Sequence, residues 1–422
     1  MANRVNKRDK YLLLSCPEFN NVVDKMMKKD GVECSQPNVT KDSKNYKNFL
    51  NSSSLKNNES SLVKFKRKES KCESDHFYRG FINWKSYGDG TPDIKMDSET
   101  VKRLKDRRVI FLAYFTFNEP SATTIIDQII FLNSLSHYGV AEINIVLPYF
   151  PVGTMERIVG EGEIPTAYSL AHMLNSIPEG TSKNKIYIFD IHALCSRFFF
   201  HTNTVPILIT MMPLYTDYIT ETFKSNEEQT NIIVFPDDGA KKRFEKVLPK
   251  DFLKITCSKE RIGNVRRIKI DEGLELLLKK KNASNVNKLS VSVNTHQLKD
   301  GNINLFIIDD LVQSGGTLKE TVKGIKEFLD GYGFDNTEDR VKFYPIVTHA
   351  VFPGNKNNEF FNNIKGSKIE KLITTDSRPT KVAEIVKQKA DKVRVIEIAD
   401  PLFEIFTGAS NANRFIAPYS IK

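Results

Sequence analysis

Two adjacent aspartates and a glycine-containing turn follow one apolar run, in the stretch "LFIIDDLVQSGGTL" from Leu305 to Leu318. Successive backbone N–H groups in a tight turn before a helix concentrate partial positive charge, which suits a phosphate. The residues that would hold it are Ser314, Gly315, Gly316 and Thr317. Asp309 and Asp310 precede this loop, where carboxylates can accept hydrogen bonds from the hydroxyls of a sugar. The stretch therefore predicts a site for a phosphorylated sugar, with a solvated turn as the alternative.

Two further apolar runs end in residues that could bind a ligand. The segment "FDIHALCSRFFF" contributes Asp190 and His192, and the segment "IVFPDDGAKKRF" contributes Asp237. Taken alone, a histidine at the end of a strand is more often structural, and an acid there often only caps a helix. The spacing of the glycine turn excludes a P-loop and a dinucleotide-binding motif, because it matches neither GxxxxGK[ST] nor GxGxxG.

Short apolar runs alternate with helix-length segments through most of the chain. Several runs are apolar on consecutive positions, which is typical of strands buried on both faces of a parallel sheet. The candidate strands are "RVIFLAYF", "INIVLPYF", "KIYIFDIHA", "TNIIVFPDDGA", "INLFIIDD", "FYPIVTHAVF" and "KVRVIEIAD". This alternation predicts a doubly wound α/β fold, in which ligands bind at the carboxyl ends of the strands. The acids, the histidine and the glycine turn lie at those ends.

We expect two similar α/β lobes, from residue 76 to 207 and from 208 to 400. A C-terminal helix and tail at 401–422 would pack on the first lobe. Residues 1–75 are rich in Asn, Ser and Lys and predict a disordered basic extension. The similar texture of residues 273–301 predicts a surface insertion.

The composition is that of a globular protein with buried cores. The chain has 422 residues, 40% of them hydrophobic, and a formal net charge of +10 that suits an anionic partner. Nucleic acid is an unlikely partner, because the basic segments lack interleaved aromatics and a known binding module. The five scattered cysteines and the absence of long apolar runs lead us to expect a cytoplasmic protein without a membrane span.

The stretch "FIIDDLVQSGGTL" resembles the phosphoribosyl diphosphate motif of type I phosphoribosyltransferases and of ribose-phosphate diphosphokinases. "DIHAL" and "FPDDGA" match the diphosphokinases, and their second class most closely, and are not expected in ordinary phosphoribosyltransferases. The resemblance implies two lobes of type I phosphoribosyltransferase-like fold. It also implies transfer of the diphosphate of ATP to ribose 5-phosphate, releasing AMP. One departure is Gln313, at a position where the family commonly has an acid.

The resemblance also assigns roles to individual residues. His192 and Asp237 would bind the Mg²⁺ that accompanies ATP, with Asp190 as an outer-shell partner. In "CSKERIGNVRR", the Lys and Arg of the family's mobile catalytic loop match Lys259 and Arg261. Taken alone, a cluster of charged residues such as this one usually lies on a solvent-exposed surface without a catalytic role.

The segment "RGFINWKSYGDGTPD" looks like the family's adenine-binding segment, which in many relatives reaches across from a neighbouring subunit. Tyr87 would stack on the base, and Asp89 would accept a hydrogen bond from it. An equally favoured alternative is that Tyr87 is a buried aromatic residue of the core. We therefore expect a homo-oligomer. Two alternatives to an active diphosphokinase remain open. One is an inactive regulatory paralogue of such an enzyme, and the less favoured one is a phosphoribosyltransferase.

Overall fold

The computed structural model describes twelve stretches of the chain. They are residues 10–34, 72–117, 119, 121–201, 203–223, 229–250, 252–262, 265–270, 302–330, 340–354, 356–365 and 368–418. The side chains of residues 259–262, 265–270 and 357 are outside this description. The predicted insertion at 273–301 also lies outside the described residues.

A six-stranded parallel sheet forms the core of the first lobe. Strands of this lobe are β1 (Tyr11–Ser15), β2 (Phe77–Arg79), β3 (Ile82–Ser86), β4 (Pro92–Met96), β5 (Arg108–Leu112), β6 (Glu142–Leu147), β7 (Asn184–Phe189) and β8 (Thr204–Ile209). The order in the sheet is β2-β1-β5-β6-β7-β8, and β3 and β4 form a separate antiparallel hairpin. Every residue of β6 is buried, as expected for a strand covered on both faces.

Helices of the first lobe cover both faces of this sheet. They are α1 (Asn20–Lys29), α2 (Ser98–Val101), α3 (Ile125–Ser134) and α4 (Thr166–Asn175). β8 continues to Ile209, two residues beyond the expected boundary at 207.

The expectation that residues 1–75 form a disordered extension is wrong for residues 10–34. β1 lies inside the sheet, where it pairs in parallel with both β2 and β5. Leu12, Leu13 and Leu14 are fully buried, and α1 packs its apolar face beside this strand. A five-residue apolar run is long enough for a buried strand, and this sheet supplies partners on both of its edges. Residues 35–71 lie outside the described part of the chain.

A seven-stranded sheet forms the core of the second lobe, in the order β11-β10-β9-β12-β13-β14-β15. Its strands are β9 (Gln229–Phe235), β10 (Leu253–Ile262), β11 (Val265–Ile270), β12 (Asn302–Val312), β13 (Val341–Ala350), β14 (Leu372–Thr375) and β15 (Val393–Ile396). All neighbours are parallel except β10 and β11, which form an antiparallel pair at one edge.

The remaining helices join and cover the second sheet. They are α5 (Met212–Thr222), α6 (Asp238–Phe244), α7 (Gly316–Asp330), α8 (Lys356–Ile364), α9 (Pro379–Lys389) and α10 (Ala399–Thr407). α5 connects the two lobes, from β8 to β9. α10 returns to the first lobe, where Phe406 contacts the rings of Tyr11 and Tyr187. Among the described residues, no helix is both long enough and apolar enough to cross a membrane.

One of the two buried apolar clusters extends across both lobes. Ile233, Phe235 and Phe306 of the second sheet belong to the same buried cluster as the residues of the first sheet. At the carboxyl ends of the strands, the buried His349 on β13 contacts the carbonyl oxygen of Phe189 on β7 at 3.1 Å from Nε2. The predicted fold class, two doubly wound parallel-sheet lobes, is confirmed.

Candidate functional site

A cavity of about 460 Å³ lies where the carboxyl ends of β7, β9 and β12 meet. Its walls come from both lobes and contain most of the residues singled out in the sequence. The residues on the walls are His192, Asp237, Gly239, Arg243 and every residue from Asp309 to Leu318. The histidine, the acid after β9 and the glycine loop are thus brought together around one space.

The glycine loop owes its shape to Gly315. This residue has φ of +78°, in the left-handed region that glycine adopts without steric cost. A Cβ atom at this position would lie 2.5 Å from Cδ2 of the fully buried Phe360. α7 begins at Gly316, so the loop leads directly into the N-terminus of this helix. Gly316 and Thr317, at that end of the helix, line the cavity. This is the arrangement that binds a phosphate through backbone N–H groups.

Two basic groups hold the adjacent aspartates at the end of β12. Arg243 Nη2 lies 2.9 Å from Asp309 Oδ1 and 2.7 Å from Asp310 Oδ1. His192 Nδ1 lies 2.8 Å from Asp310 Oδ2, so both oxygens of Asp310 have partners. Oδ2 of Asp309 accepts no hydrogen bond from the residues the structure describes. Asp309 is therefore the acid that keeps an oxygen for a ligand.

The negative charge of the pair is concentrated on Asp310. Burial raises the pKa of Asp309 well above its usual range, and the charge of Asp310 raises it further. Burial also opposes ionisation of Asp310, but the hydrogen bond from His192 and the charge of Arg243 outweigh it and lower the pKa of Asp310. The same hydrogen bond raises the pKa of His192.

Asp237 has two roles in the structure. It is the N-cap of α6, with Oδ1 accepting from the backbone N–H of Ala240 at 2.9 Å. It also lines the cavity, and its Oδ2 accepts no hydrogen bond from the described residues. Helix capping and ligand binding are compatible here, because each uses a different oxygen.

Asp190 is not among the residues that line the cavity. It is buried, and its Oδ2 accepts hydrogen bonds from Thr348 Oγ1 at 2.6 Å and from the backbone N–H of Met211 at 3.1 Å. Thr348 belongs to the second lobe, so this carboxylate joins the lobes beneath the site. Neither of these partners lines the cavity, and the outer-shell role of Asp190 stays a prediction.

The predicted catalytic residues lie on the antiparallel edge of the second sheet. Lys259 and Arg261 are in β10, opposite Ile268 and Arg266 of β11. Their side chains lie outside the described residues, so their distance to the cavity stays a prediction. The segment is a β-hairpin and not an irregular loop over its described residues.

The predicted adenine-binding residues lie at the tip of the β3–β4 hairpin. Tyr87 is 58% exposed, which excludes the core-aromatic alternative. Asp89 is exposed and its Oδ1 accepts from the backbone N–H of Thr91 at 2.9 Å. Neither residue lines the cavity formed by its own chain.

Sequence analysis missed two residues that organise the site. Arg243 lies four positions after Gly239 in the "FPDDGAKKRF" segment, and this helical spacing from the start of α6 was the only local signal that its side chain faces the site. His349, in "VTHAVF", donates from Nε2 to the carbonyl oxygen of Phe189, and its Nδ1 lies 2.9 Å from Ser377 Oγ. Burial lowers the pKa of His349 to about 4, so it is neutral at pH 7.

A second cavity of about 160 Å³ adjoins the first and shares Gln313 with it. It is walled by Tyr149, Thr154, Glu119 and Arg378, among other residues. Arg378 forms a buried ion pair with Glu119 and lies 4.4 Å from the centre of the Tyr149 ring. The ligand-accessible space therefore extends from the acid pair to the loops of the first lobe.

Within the described part of the chain, no group of three His, Cys, Asp or Glu side chains is arranged to hold a metal ion alone. Magnesium commonly takes one or two carboxylates from the protein and its other ligands from phosphates and water. Asp237, with an available oxygen on the cavity wall, fits such a site, and His192 lines the same cavity. The residues present therefore suit magnesium that arrives with a phosphorylated substrate.

The fold and the site define an α/β protein with a cleft between two phosphoribosyltransferase-like lobes. The chain is 33% identical to "Ribose-phosphate pyrophosphokinase 4" of Oryza sativa subsp. japonica, over 78% of this chain and 90% of that protein. It is also 33% identical to "Ribose-phosphate pyrophosphokinase 4" of Arabidopsis thaliana, over 74% of this chain and 81% of that protein. No protein-family model matches. The chain belongs to the ribose-phosphate pyrophosphokinase family, which confirms the resemblance noted in its motifs.

The fold has a solved counterpart. A crystal structure of phosphoribosylpyrophosphate synthetase from Mycobacterium smegmatis aligns with a TM-score of 0.59 at 15% identity. The alignment covers 94% of this chain and 98% of the other. The two proteins share the two-lobe architecture.

Proposed function

We propose that this protein transfers the β,γ-diphosphate of Mg²⁺-ATP to the C1 hydroxyl of ribose 5-phosphate. The products are 5-phosphoribosyl 1-diphosphate, for nucleotide biosynthesis, and AMP. The observation that carries the proposal is the single cavity in which the glycine loop, the acid pair, His192 and Asp237 meet. The relatives named as ribose-phosphate pyrophosphokinases support it, and for that reason an inactive paralogue or a phosphoribosyltransferase is not favoured.

The second lobe would bind ribose 5-phosphate. The N–H groups of the loop from Ser314 to Thr317 would hold the 5-phosphate at the N-terminus of α7. Asp309, with Oδ2 available, would accept a hydrogen bond from a ribose hydroxyl, while Asp310 keeps His192 and Arg243 in place. The C1 hydroxyl would then point towards the first lobe.

ATP would lie between the lobes and extend into the second cavity, past Thr154 and Tyr149. Asp237 and His192 would hold Mg²⁺ together with the phosphates of ATP, and the bound ion would reduce the charge that opposes attack on the β-phosphorus. Tyr87 and Asp89, remote from the cavity of their own chain, would reach the adenine of ATP bound to a second copy. A homo-oligomer is therefore part of the proposal.

Lys259 and Arg261 would stabilise the charge that develops on the diphosphate during transfer. Cations placed for the transition state lower the barrier more than cations that bind substrate and transition state equally. Some relatives are named chloroplastic or mitochondrial, so the cytoplasmic location expected from composition stays a prediction.

The test is to incubate the purified protein with Mg²⁺-ATP and ribose 5-phosphate and to measure AMP and 5-phosphoribosyl 1-diphosphate. The proposal expects equal amounts of both, with no AMP when ribose 5-phosphate is omitted or Mg²⁺ is chelated. AMP formed without the sugar would overturn it. The Asp309→Ala variant should show a higher KM for ribose 5-phosphate, because the sugar hydroxyl loses the oxygen that would accept its hydrogen bond.

A further inference from the structure

Arg243 connects three elements of the site through one guanidinium. It lies on α6 in the second lobe and is 9% exposed. Nη1 donates to the carbonyl oxygen of His192 at 3.1 Å, in the first lobe. Nη2 donates to Asp309 at 2.9 Å and pairs with Asp310 at 2.7 Å, at the end of β12. The side chain therefore fixes the acid pair relative to the histidine segment.

Two neighbouring carboxylates with little solvent around them repel one another and lose hydration. Asp310 is 1% exposed, so a nearby cation must supply most of the compensation. Arg243 contacts one oxygen of each acid, which leaves Asp309 Oδ2 without a protein partner among the described residues. The arginine and the backbone N–H of Asp310 both donate to Asp309 Oδ1, and together they orient this carboxylate.

The local sequence leaves room for this contact. A Cβ atom at Gly239 would lie 3.4 Å from Arg243 Nη1 and 3.1 Å from Asp237 Oδ1. The distance to Asp237 is tight for a methyl group and the distance to Arg243 is an ordinary contact, so glycine mainly relieves crowding beside the capping acid. A lysine could not replace the arginine fully, because one ammonium cannot span two carboxylates and a carbonyl with fixed geometry.

We propose that Arg243 is a positioning residue for ribose 5-phosphate, acting through the orientation of Asp309 and Asp310. The proposal rests on the proposed function of the cavity and deepens it. Arg243 itself contacts no sugar atom in this account, and its effect is transmitted by the acids. Its loss should therefore weaken sugar binding much more than nucleotide binding.

The experiment compares the Arg243→Gln and Arg243→Lys variants with Lys242→Gln, which removes one positive charge from an exposed position of the same helix. For Arg243→Gln we expect the KM for ribose 5-phosphate to rise about tenfold or more, as for the loss of a charge-assisted hydrogen bond. The KM for Mg²⁺-ATP should change less than about twofold. Arg243→Lys should lie between wild type and Arg243→Gln, and Lys242→Gln should match wild type.

Calorimetric titration with ribose 5-phosphate gives a second readout that requires no turnover. If the wild type binds the sugar phosphate but forms no AMP, the proposed reaction fails, and the role of Arg243 is still decided by the variants. Unchanged sugar binding in Arg243→Gln would overturn the inference. Equal losses of affinity for ribose 5-phosphate and Mg²⁺-ATP, with a lower melting temperature in both Arg243→Gln and Arg243→Lys, would show that Arg243 acts in folding alone. That result would also overturn the inference.

Discussion

Replacing Gly315 by alanine tests whether the shape of the glycine loop is essential. The backbone at this residue has φ of +78°, and the new methyl would lie 2.5 Å from the ring of Phe360. Phe360 is fully buried and packs against Phe352 with ring centres 5.2 Å apart, so it cannot move aside freely. We expect the loop to shift and to lose its phosphate-binding geometry.

Two costs add up at this position. An L-residue in the left-handed region costs about 1–2 kcal/mol, and overpacking a filled core typically costs about 1–3 kcal/mol. The variant should therefore lose about 2–5 kcal/mol of unfolding free energy, a large part of the 5–15 kcal/mol that typical proteins have. Any loop that survives the change should bind ribose 5-phosphate more weakly.

Gly408→Ala is the matched control. Gly408 has φ of +68° at the end of α10, but a Cβ there would meet nothing within 4 Å. Gly408→Ala has the backbone strain but not the steric clash. Its loss of unfolding free energy in urea should therefore be about 1–3 kcal/mol smaller than that of Gly315→Ala. The KM for ribose 5-phosphate should rise only in Gly315→Ala. Equal stability losses in the two variants, or an unchanged KM in Gly315→Ala, would refute the reasoning.

Three more predictions concern individual side chains. Lys259→Ala should lower turnover roughly 100-fold or more, as loss of a transition-state charge partner does; near-normal steady-state turnover would contradict the assignment. Asp237→Asn should keep the cap of α6 but lose Mg²⁺-dependent activity, whereas Asp237→Ala should also lose about 1 kcal/mol in thermal unfolding. Burial holds the pKa of His349 at about 4, below its value of 6.5 in the unfolded chain. His349 should therefore lower the unfolding free energy by about 3 kcal/mol as pH drops from 6.5 towards 4, seen in urea unfolding as a pH-dependent difference between wild type and His349→Gln.

The second lobe was the more predictable part of the chain. β12 and α7 combine a continuous apolar run, a glycine turn and helical spacing of Val322, Ile325 and Leu329, all of which are local signals. The ends of the strands were also informative, because residues such as Asp309 and His192 lie where a parallel sheet binds ligands.

Features that depend on distant partners could not be read in the same way. β1 is a short apolar run among polar and basic residues, and only its position between β2 and β5 makes it a strand. The tertiary partner of Asp190 is Thr348, 158 positions away, so nothing near it in sequence indicates a role in joining the lobes. Arg243 likewise has its acidic partner Asp309 66 positions away in the sequence.

The central claim is that one cleft transfers an intact diphosphate from ATP to the sugar. The most direct measurement uses ATP labelled with ³²P at the β-phosphate, together with Mg²⁺ and ribose 5-phosphate, followed by separation of the products. The account predicts that the label moves to 5-phosphoribosyl 1-diphosphate and that AMP carries none. Label recovered in ADP or in inorganic phosphate or diphosphate, with no labelled sugar, would contradict it.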